Sequence, residues 1–460
     1  MASIALKPTM RQTPKSRAKR KHSSKTSKTQ IAAPRRSSPA HLTPEAALGQ
    51  PKLQPGLPLF GRPTAGHIAA AAALAILIAG IYGAIAWGLF TGDGDFRAHI
   101  DYAKVLYDTG RPPVPHFLLH ALIAGLFGAH LAPSLVSAGR IVLLSSYVLT
   151  ALLMYGLLWI LFQKSGLGSP VTLFLAGLAI LLAEPISRSH AYQLGYFWPE
   201  PYAIPTSALL KPFALAGFAC TAWYLSRRCR IDGRLAVIFA LATAAGSLSK
   251  PSFLICVAPA TALLLVYRLA LRLPTSPKGL LAGLYLPAAA VLGWQFYQTY
   301  SGHGTNAVYH DAIAWAPFKF MNYYATGLLL KFLLSILFPL AVAILYWKQA
   351  SRDAMLQLAW LCFLFGAFYS YVLVEKTNWF AGNFTWSGCI GAFILFAGSA
   401  VFWLRRISSA TPRGWLPWRA LLCGAILALH AICGARMDWL YLTHYGCAED
   451  YHAAEFVCRS

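Results

Sequence analysis

The stretch TGDGDFRAHIDYAKVLYDTGRPPVP, residues 91–115, follows directly on the first long apolar run, Ile68–Phe90. It gathers Asp93, Asp95, Asp101 and Asp108 in a chain that has only 15 acidic residues among 460. An ionised group at the edge of a lipid bilayer is costly and usually has a functional reason. The reading of the whole chain turns on whether the run before this stretch crosses a membrane, and on which side the carboxylates emerge.

Composition answers the first question. The chain is 57% hydrophobic and 12% charged, whereas soluble domains carry about 25% charged residues. Apolar runs of about 20 residues recur along it, as a polytopic membrane protein requires. Spanning helices are expected at 67–90, 138–162, 170–183, 206–226, 234–249, 251–270, 279–298, 326–347, 354–374, 387–404 and 418–434. Backbone groups in lipid must be satisfied internally, so each run is expected to be helical. The runs at 170–183 and 234–249 are short for the task. The fold class is therefore an all-α polytopic membrane protein with about 11 transmembrane helices. Residues 1–66 form a basic cytoplasmic tail, 67–434 the transmembrane domain and 435–460 a short extracytoplasmic tail.

The net charge of +24 does not indicate nucleic acid. Much of it lies in the first 62 residues, where KSRAKRKHSSKTSK and APRRSS carry no apolar periodicity. Such a segment reads as a disordered tail that sets orientation and touches anionic lipid headgroups. The first apolar run has no small-residue cleavage site after it and is expected to remain as a signal anchor.

Charge also orients the chain. The 16 residues His116–Leu131 are apolar but follow PPVP. If they do not span, loops rich in Lys and Arg all fall inside, as the positive-inside rule demands. Nearly all acids then fall outside. His116–Leu131 is thus expected to be a re-entrant or surface-lying helix, with the N-terminus cytoplasmic and the C-terminus extracytoplasmic in an integral plasma (inner) membrane protein. The long loops all lie outside, which places the chemistry there.

Within the first loop, Phe96, Ile100 and Ala103 have helical spacing, continued by Leu106 and Tyr107. This predicts an amphipathic helix in the interface, with Asp95 and His99 four apart on one face. A carboxylate there suits a general base or a divalent-cation ligand; the plainer alternative is a helix cap with a solvated acidic face. In EPISRSHAYQLGYFWPEPYAIPTSALLK, residues 184–211, Tyr192, Tyr196, Phe197, Trp198 and Tyr202 read as interfacial anchors or a stacking platform for a sugar ring. Lys211-Pro212 and Lys250-Pro251 put a lysine at the outer border twice, either snorkelling or contacting phosphate. His303, Asn306, His310 and Asp311, and the loop EKTNWFAGNFTW (residues 375–386), are further candidates to line a site. Six of the nine cysteines sit in or beside apolar runs as packing residues. Cys229 lies in a short arginine-rich loop. Cys447 and Cys458 lie in the C-terminal tail, where a disulfide is compatible with an outside location. The sequence has no P-loop, GxSxG or zinc spacing, so nucleotide hydrolysis and serine-nucleophile chemistry lack a basis.

The order of elements resembles the GT-C class of membrane glycosyltransferases. The segment GDGDFRAHIDYAKVLYDTGRPPVPHFLLHALI is similar to the opening of that class. WPEPYAIPTSALLKPFAL, SLSKPSFLI and GNFTWSG look like stretches of a bacterial GT-C-like group, which often has His-Asn where this chain has Glu200. The resemblance covers roughly residues 67–434. It implies an inverting transfer of a sugar from a polyprenyl-phosphate carrier to a glycan or lipid acceptor on the non-cytoplasmic face, within the cell envelope. Asp93 or Asp95 then corresponds to the base, with His99 and Asp101 in support. Glu184 and Glu200 are candidates for the second acid of the class. Arg188, Lys211 or Lys250 would stabilise the departing phosphate, and a divalent cation, Mg or Mn, is a possible cofactor. Two rivals remain: a transporter or flippase of a lipid-linked glycan or small solute, and a non-catalytic envelope assembly subunit. The lack of an internal repeat weighs against the first. Loss of function on deleting residues 1–62 would favour the second.

Overall fold

The computed structural model describes residues 62–89, 95–187, 195–200, 204–227, 233–300, 312–410, 417–443, 447–449 and 456–458. Among them, eight helices are long and apolar enough to cross a membrane. The protein is therefore membrane-embedded and built almost entirely from helices.

In chain order, α1 (Ala65–Leu89) is followed by α2 (Asp95–Thr109), α3 (Leu118–Gly128), α4 (Leu135–Phe162), α5 (Pro170–Leu181), α6 (Pro205–Ser226), α7 (Gly233–Ser249) and α8 (Ser252–Ala270). Next, α9 (Pro277–Leu280) passes through a π-helical turn, Leu281–Tyr285, into α10 (Leu286–Tyr300). The strand β1 (Ile313–Trp315) precedes α11 (Lys319–Tyr324), α12 (Leu328–Ser335), α13 (Leu337–Leu345) and α14 (Ala354–Val372). Then come β2 (Leu373–Glu375), α15 (Thr385–Ala410), α16 (Trp418–Thr443), β3 (Cys447–Glu449) and β4 (Phe456–Cys458). β1 and β2 pair antiparallel, with Ala314 opposite Val374. β3 and β4 also pair antiparallel, and their backbone register sets Cys447 opposite Cys458. α16 runs on past Ala435 to Thr443, so the helix extends into what reads as a tail.

Helices occur in all eleven apolar runs, but three of those runs differ from simple spans. The 326–347 run is two helices, α12 and α13, bent by 68°. Pro339 explains the break: it has no N–H for the carbonyl four residues back, and its ring clashes with that carbonyl. The helix therefore stops at Ser335 and restarts at Leu337. α5 has 12 residues and rises only about 18 Å. Beyond it the chain continues extended, and protein partners satisfy its backbone. Glu184 N–H donates to the His430 carbonyl at 3.1 Å and Ile186 N–H to the Leu334 carbonyl at 3.2 Å. Non-helical backbone is tolerated at depth when buried in protein like this. α7, with 17 residues, is the other short run. α3, with 11 residues, rises about 16 Å and falls well short of the roughly 30 Å hydrocarbon core.

The core centres on α15. From Thr385 to Leu404 almost every residue is buried, on all faces, the mark of a helix enclosed by other helices. Its tightest contact is with α14, where small residues let the backbones meet. A Cβ added at Gly366 would lie 2.3 Å from the Ser387 carbonyl oxygen. Gly366→Ala is therefore expected to lower the thermal midpoint in detergent. Overpacking costs about 1–3 kcal/mol, more than the roughly 1 kcal/mol that alanine gains over glycine in a helix. An unchanged midpoint would mean that α14 and α15 separate there freely.

Short connections make successive helices alternate in direction. The C-terminal ends of α7 and α14 and the N-terminal ends of α6, α8 and α15 share one end of the bundle with α2 and α3. Arg268, Asp353 and Arg405 share the other, where Arg405 reaches Asp353 at 3.5 Å.

Candidate functional site

α2 is amphipathic, as its spacing predicts, but its buried face is Phe96, His99 and Ala103. His99 belongs to that face because it meets a second buried histidine on α3. Its Nδ1 lies 2.8 Å from His120 Nε2, and the two rings stack with centroids 5.0 Å apart. Tyr102 stands edge-on to both rings. The other nitrogen of His99, Nε2, is 3.4 Å from Asp95 Oδ2. An ionised carboxylate only accepts, so His99 donates to it through Nε2–H, while His99 Nδ1 and His120 Nε2 share one hydrogen bond.

Asp95 is about half exposed, with a side-chain accessibility of 46%. Partial burial pushes its pKa up, but the hydrogen bond and charge of His99, with Lys250 and His116 behind it, hold it below the ordinary carboxylate value. It is therefore ionised at neutral pH. Burial pushes His116 down to about 3, with Lys250 and His99 adding to the effect, and His120 down to about 2. Both histidines are neutral near pH 7.

Lys250 sits between α7 and α8. Its Nζ is 3.4 Å from Thr206 Oγ1, in the first turn of α6, and 5.5 Å from the centroid of the Trp386 ring. Burial lowers its pKa to about 8, while Asp95, Cys389 and Glu375 pull the other way. Asp95 and Lys250 thus feel each other's charge, with the neutral His116 ring beside them, at the same end of the bundle. The PPVP segment is held there by Gln295, whose Nε2 donates to the Pro115 carbonyl at 3.3 Å and to the Ser247 carbonyl at 2.9 Å. Asn383 Nδ2 donates to Glu375 Oε2 at 2.8 Å, fixing the loop that ends at Trp386.

A second cluster lies inside the bundle. Lys211, on α6, pairs with Glu200, and both side chains are 4% exposed. Glu200 N–H donates to Glu184 Oε1 at 2.7 Å. Burial raises the pKa of both acids, Glu184 strongly, while the Lys211 charge opposes the rise. Lys211 therefore faces carboxylates instead of the bundle surface. Tyr196, Phe197 and Trp198, read as border anchors or a sugar platform, are buried as well. Gly195, with φ +83°, turns the chain inward. Phe197 then packs on Phe332, Phe363 and Tyr371, and its N–H donates to Ser335 Oγ at 2.9 Å. Gly388 leaves it room, since a Cβ there would lie 2.2 Å from the Phe197 ring.

The structure thus brings Asp95, His99 and Lys250 together, and separately Glu184, Glu200 and Lys211. Asp101 is exposed on α2. Asp93, Arg188, Tyr192, Tyr202, Cys229, His303, Asn306, His310 and Asp311 lie outside the described residues. Sequence reasoning did not assign His116, His120 or Thr206 to a site, and named Trp386 only as the end of the 375–386 loop. The two histidine partners stand 21 residues apart on different helices, so no motif spacing links them. Mg or Mn would want a set of oxygen ligands. Around Asp95 the neighbours are imidazoles and an ammonium group, and the described residues hold no group of three or more metal-ligating side chains. They do not fit a divalent ion.

No protein-family model, curated protein or solved structure matches the chain. Any likeness to the GT-C class therefore rests on its short motifs and on the chemistry of these residues.

Proposed function

We propose that the protein is an inverting, GT-C-like glycosyltransferase that moves a sugar from a polyprenyl-phosphate carrier to a hydroxyl of a glycan or lipid. One observation carries the reading: Asp95, at the start of the amphipathic helix α2, and Lys250, far apart in sequence, lie within electrostatic reach of each other at one end of a membrane-embedded bundle. In this scheme the acceptor oxygen attacks the anomeric carbon, and its proton passes to Asp95. The bond between that carbon and the phosphate oxygen breaks, and the carrier phosphate leaves with the electron pair. Lys250 meets the departing charge, aided by the positive end of the α6 dipole at Thr206. His99 orients Asp95.

The proposal includes eleven crossings: the eight long helices, the bent α12–α13 pair, α5 and α7. The basic tail lies inside, and the active end faces the non-cytoplasmic side of the plasma membrane. The test is release of free carrier phosphate by the full-length protein in lipid, across a panel of polyprenyl-phosphate sugars and hydroxyl acceptors. Failure of every donor with every acceptor would overturn the reading.

The lowered Lys250 pKa sets a pH limb. Only the protonated amine stabilises phosphate, so release is expected to be full below pH 8 and to fall as pH rises through about 8. Lys250→Arg should move that limb upward, because a guanidinium stays charged. An alkaline limb identical in the variant would remove Lys250 from the phosphate.

A further inference from the structure

We infer that the junction of α13, α15 and α16, at the end of the bundle opposite Asp95, binds the headgroup of an anionic phospholipid, with the guanidinium groups of Arg406 and Arg419 on its phosphate. The inference uses none of the residues assigned to sugar transfer and stands apart from that reading.

Three helix ends build the site. α13 finishes at Leu345, α15 carries Arg406 near its C-terminal end, and α16 starts at Trp418. Arg419 ties two of them together. Its Nη1 donates to the Leu345 carbonyl at 3.3 Å, one of the carbonyls that a helix C-terminus leaves without a helical partner. Tyr346, the next residue, stands edge-on to the Phe402 ring, with centroids 6.2 Å apart. Arg406 lies over that same ring, its Cζ 4.9 Å from the centroid. The charges of Arg419 and Arg406 both reach Tyr346, so the two guanidinium groups converge on one place.

Their surroundings leave them open to an anion. Arg405 has Asp353 at 3.5 Å, but among the described residues neither Arg406 nor Arg419 has a carboxylate within ion-pair distance. Arg405 and Arg406 feel each other as like charges. The connection between α15 and α16, residues 411–416, contributes Arg413 and no acid. Arginines that serve only to orient a membrane protein stand in water. The Nε of Arg406 is out of water and has no acceptor among the described residues. A phosphate offers the planar fork of a guanidinium two oxygens at once.

Depth selects the occupant. Trp347, just beyond α13, and Trp418, at the start of α16, are exposed, as aromatic residues at a membrane–water border are. Three residues deeper from each, Ile344 and Leu421 are exposed as well. Positive groups thus stand at headgroup level with bare apolar side chains beneath them. A phospholipid covers both parts of that surface, its phosphate above and its acyl chains below; a soluble phosphate compound would leave the lower part bare.

The test is native mass spectrometry of the full-length protein, titrated with phosphatidylglycerol and separately with phosphatidylcholine of the same acyl chains. The wild type is expected to retain phosphatidylglycerol preferentially. Each basic residue at an anionic surface adds about five-fold in affinity, so Arg406→Gln/Arg419→Gln should lower the preference by about 20-fold. Lys164→Gln, at an exposed position on the same end of the bundle, should change it little. No preference in the wild type would overturn the inference. A preference that survives in the double variant would belong to the basic segment 1–62, and one that Lys164→Gln lowers as far would be a general effect of surface charge; either result overturns it too. A phosphatidylglycerol with a photoreactive headgroup locates the site in the unaltered protein, whether or not the variant folds. Crosslinks are expected within 344–347 and 417–421, and crosslinks confined to other segments would overturn the assignment.

Discussion

Asp95→Asn is expected to lower carrier-phosphate release by about 10²–10⁴-fold, the range that a positioned general base supplies. The substitution keeps an oxygen to accept the His99 Nε2–H, so α2 should stay docked on α3 and the thermal midpoint should hold. What it removes is the capacity to take a proton. Donor binding should also persist, because the phosphate contact is assigned to Lys250. Asp93→Asn made alone separates the two carboxylates of the loop. Loss in Asp93→Asn with full activity in Asp95→Asn would move the base to Asp93. Full activity in both would remove the first loop from the chemistry.

His99 gives a graded comparison. It bridges Asp95 and His120 with one hydrogen bond to each side. His99→Gln should weaken release by less than Asp95→Asn, since it disturbs the orientation of the base and not its identity. The burial of His99 and His120 explains why the site was only half legible. Lipid enforces long apolar runs, and each of these holds a helix, although α15 runs on to Ala410 and α16 to Thr443, beyond the expected ends. The same solvent argument placed Asp95 at a border, and the positive-inside rule made the run that holds α3 a non-crossing one. It could not show that α2 turns its histidine inward, because histidine counts as polar and its partner lies on another helix. The bend after Ser335 was written in Pro339, inside a run that hydropathy reads as continuous. The inward dive of residues 195–200 had no such marker. An aromatic stretch suits a membrane border and a protein core equally well, and only the partners Phe332, Phe363 and Tyr371 distinguish them. Asp438 and His430 carried a usable signal, ionisable groups near or within an apolar run, which commonly face the bundle interior.

The Glu200–Lys211 pair should show the largest effect on stability, and an asymmetric one. Removing one partner of a buried ion pair typically costs about 3–5 kcal/mol, because the other charge is left uncompensated. Lys211→Met takes away the cation that pairs with Glu200 and offsets the buried Glu184, so it should sit at the upper end of that range. Glu200→Gln leaves Lys211 within electrostatic reach of Glu184, a second carboxylate able to serve as its partner. The loss should then be smaller. In the double variant neither charge is stranded, and buried pairs replaced by uncharged groups are often neutral in stability. Its midpoint should therefore recover most of what Lys211→Met loses, a coupling that a double-mutant cycle measures directly. Thermal unfolding of the four proteins in lipid discs checks it. Equal losses in the two single variants would mean that Glu184 does not share Lys211. Additive losses in the double variant would mean that the lysine contributes independently of Glu200, as through its cation–π contact with Phe393, whose ring centroid lies 5.0 Å from Nζ.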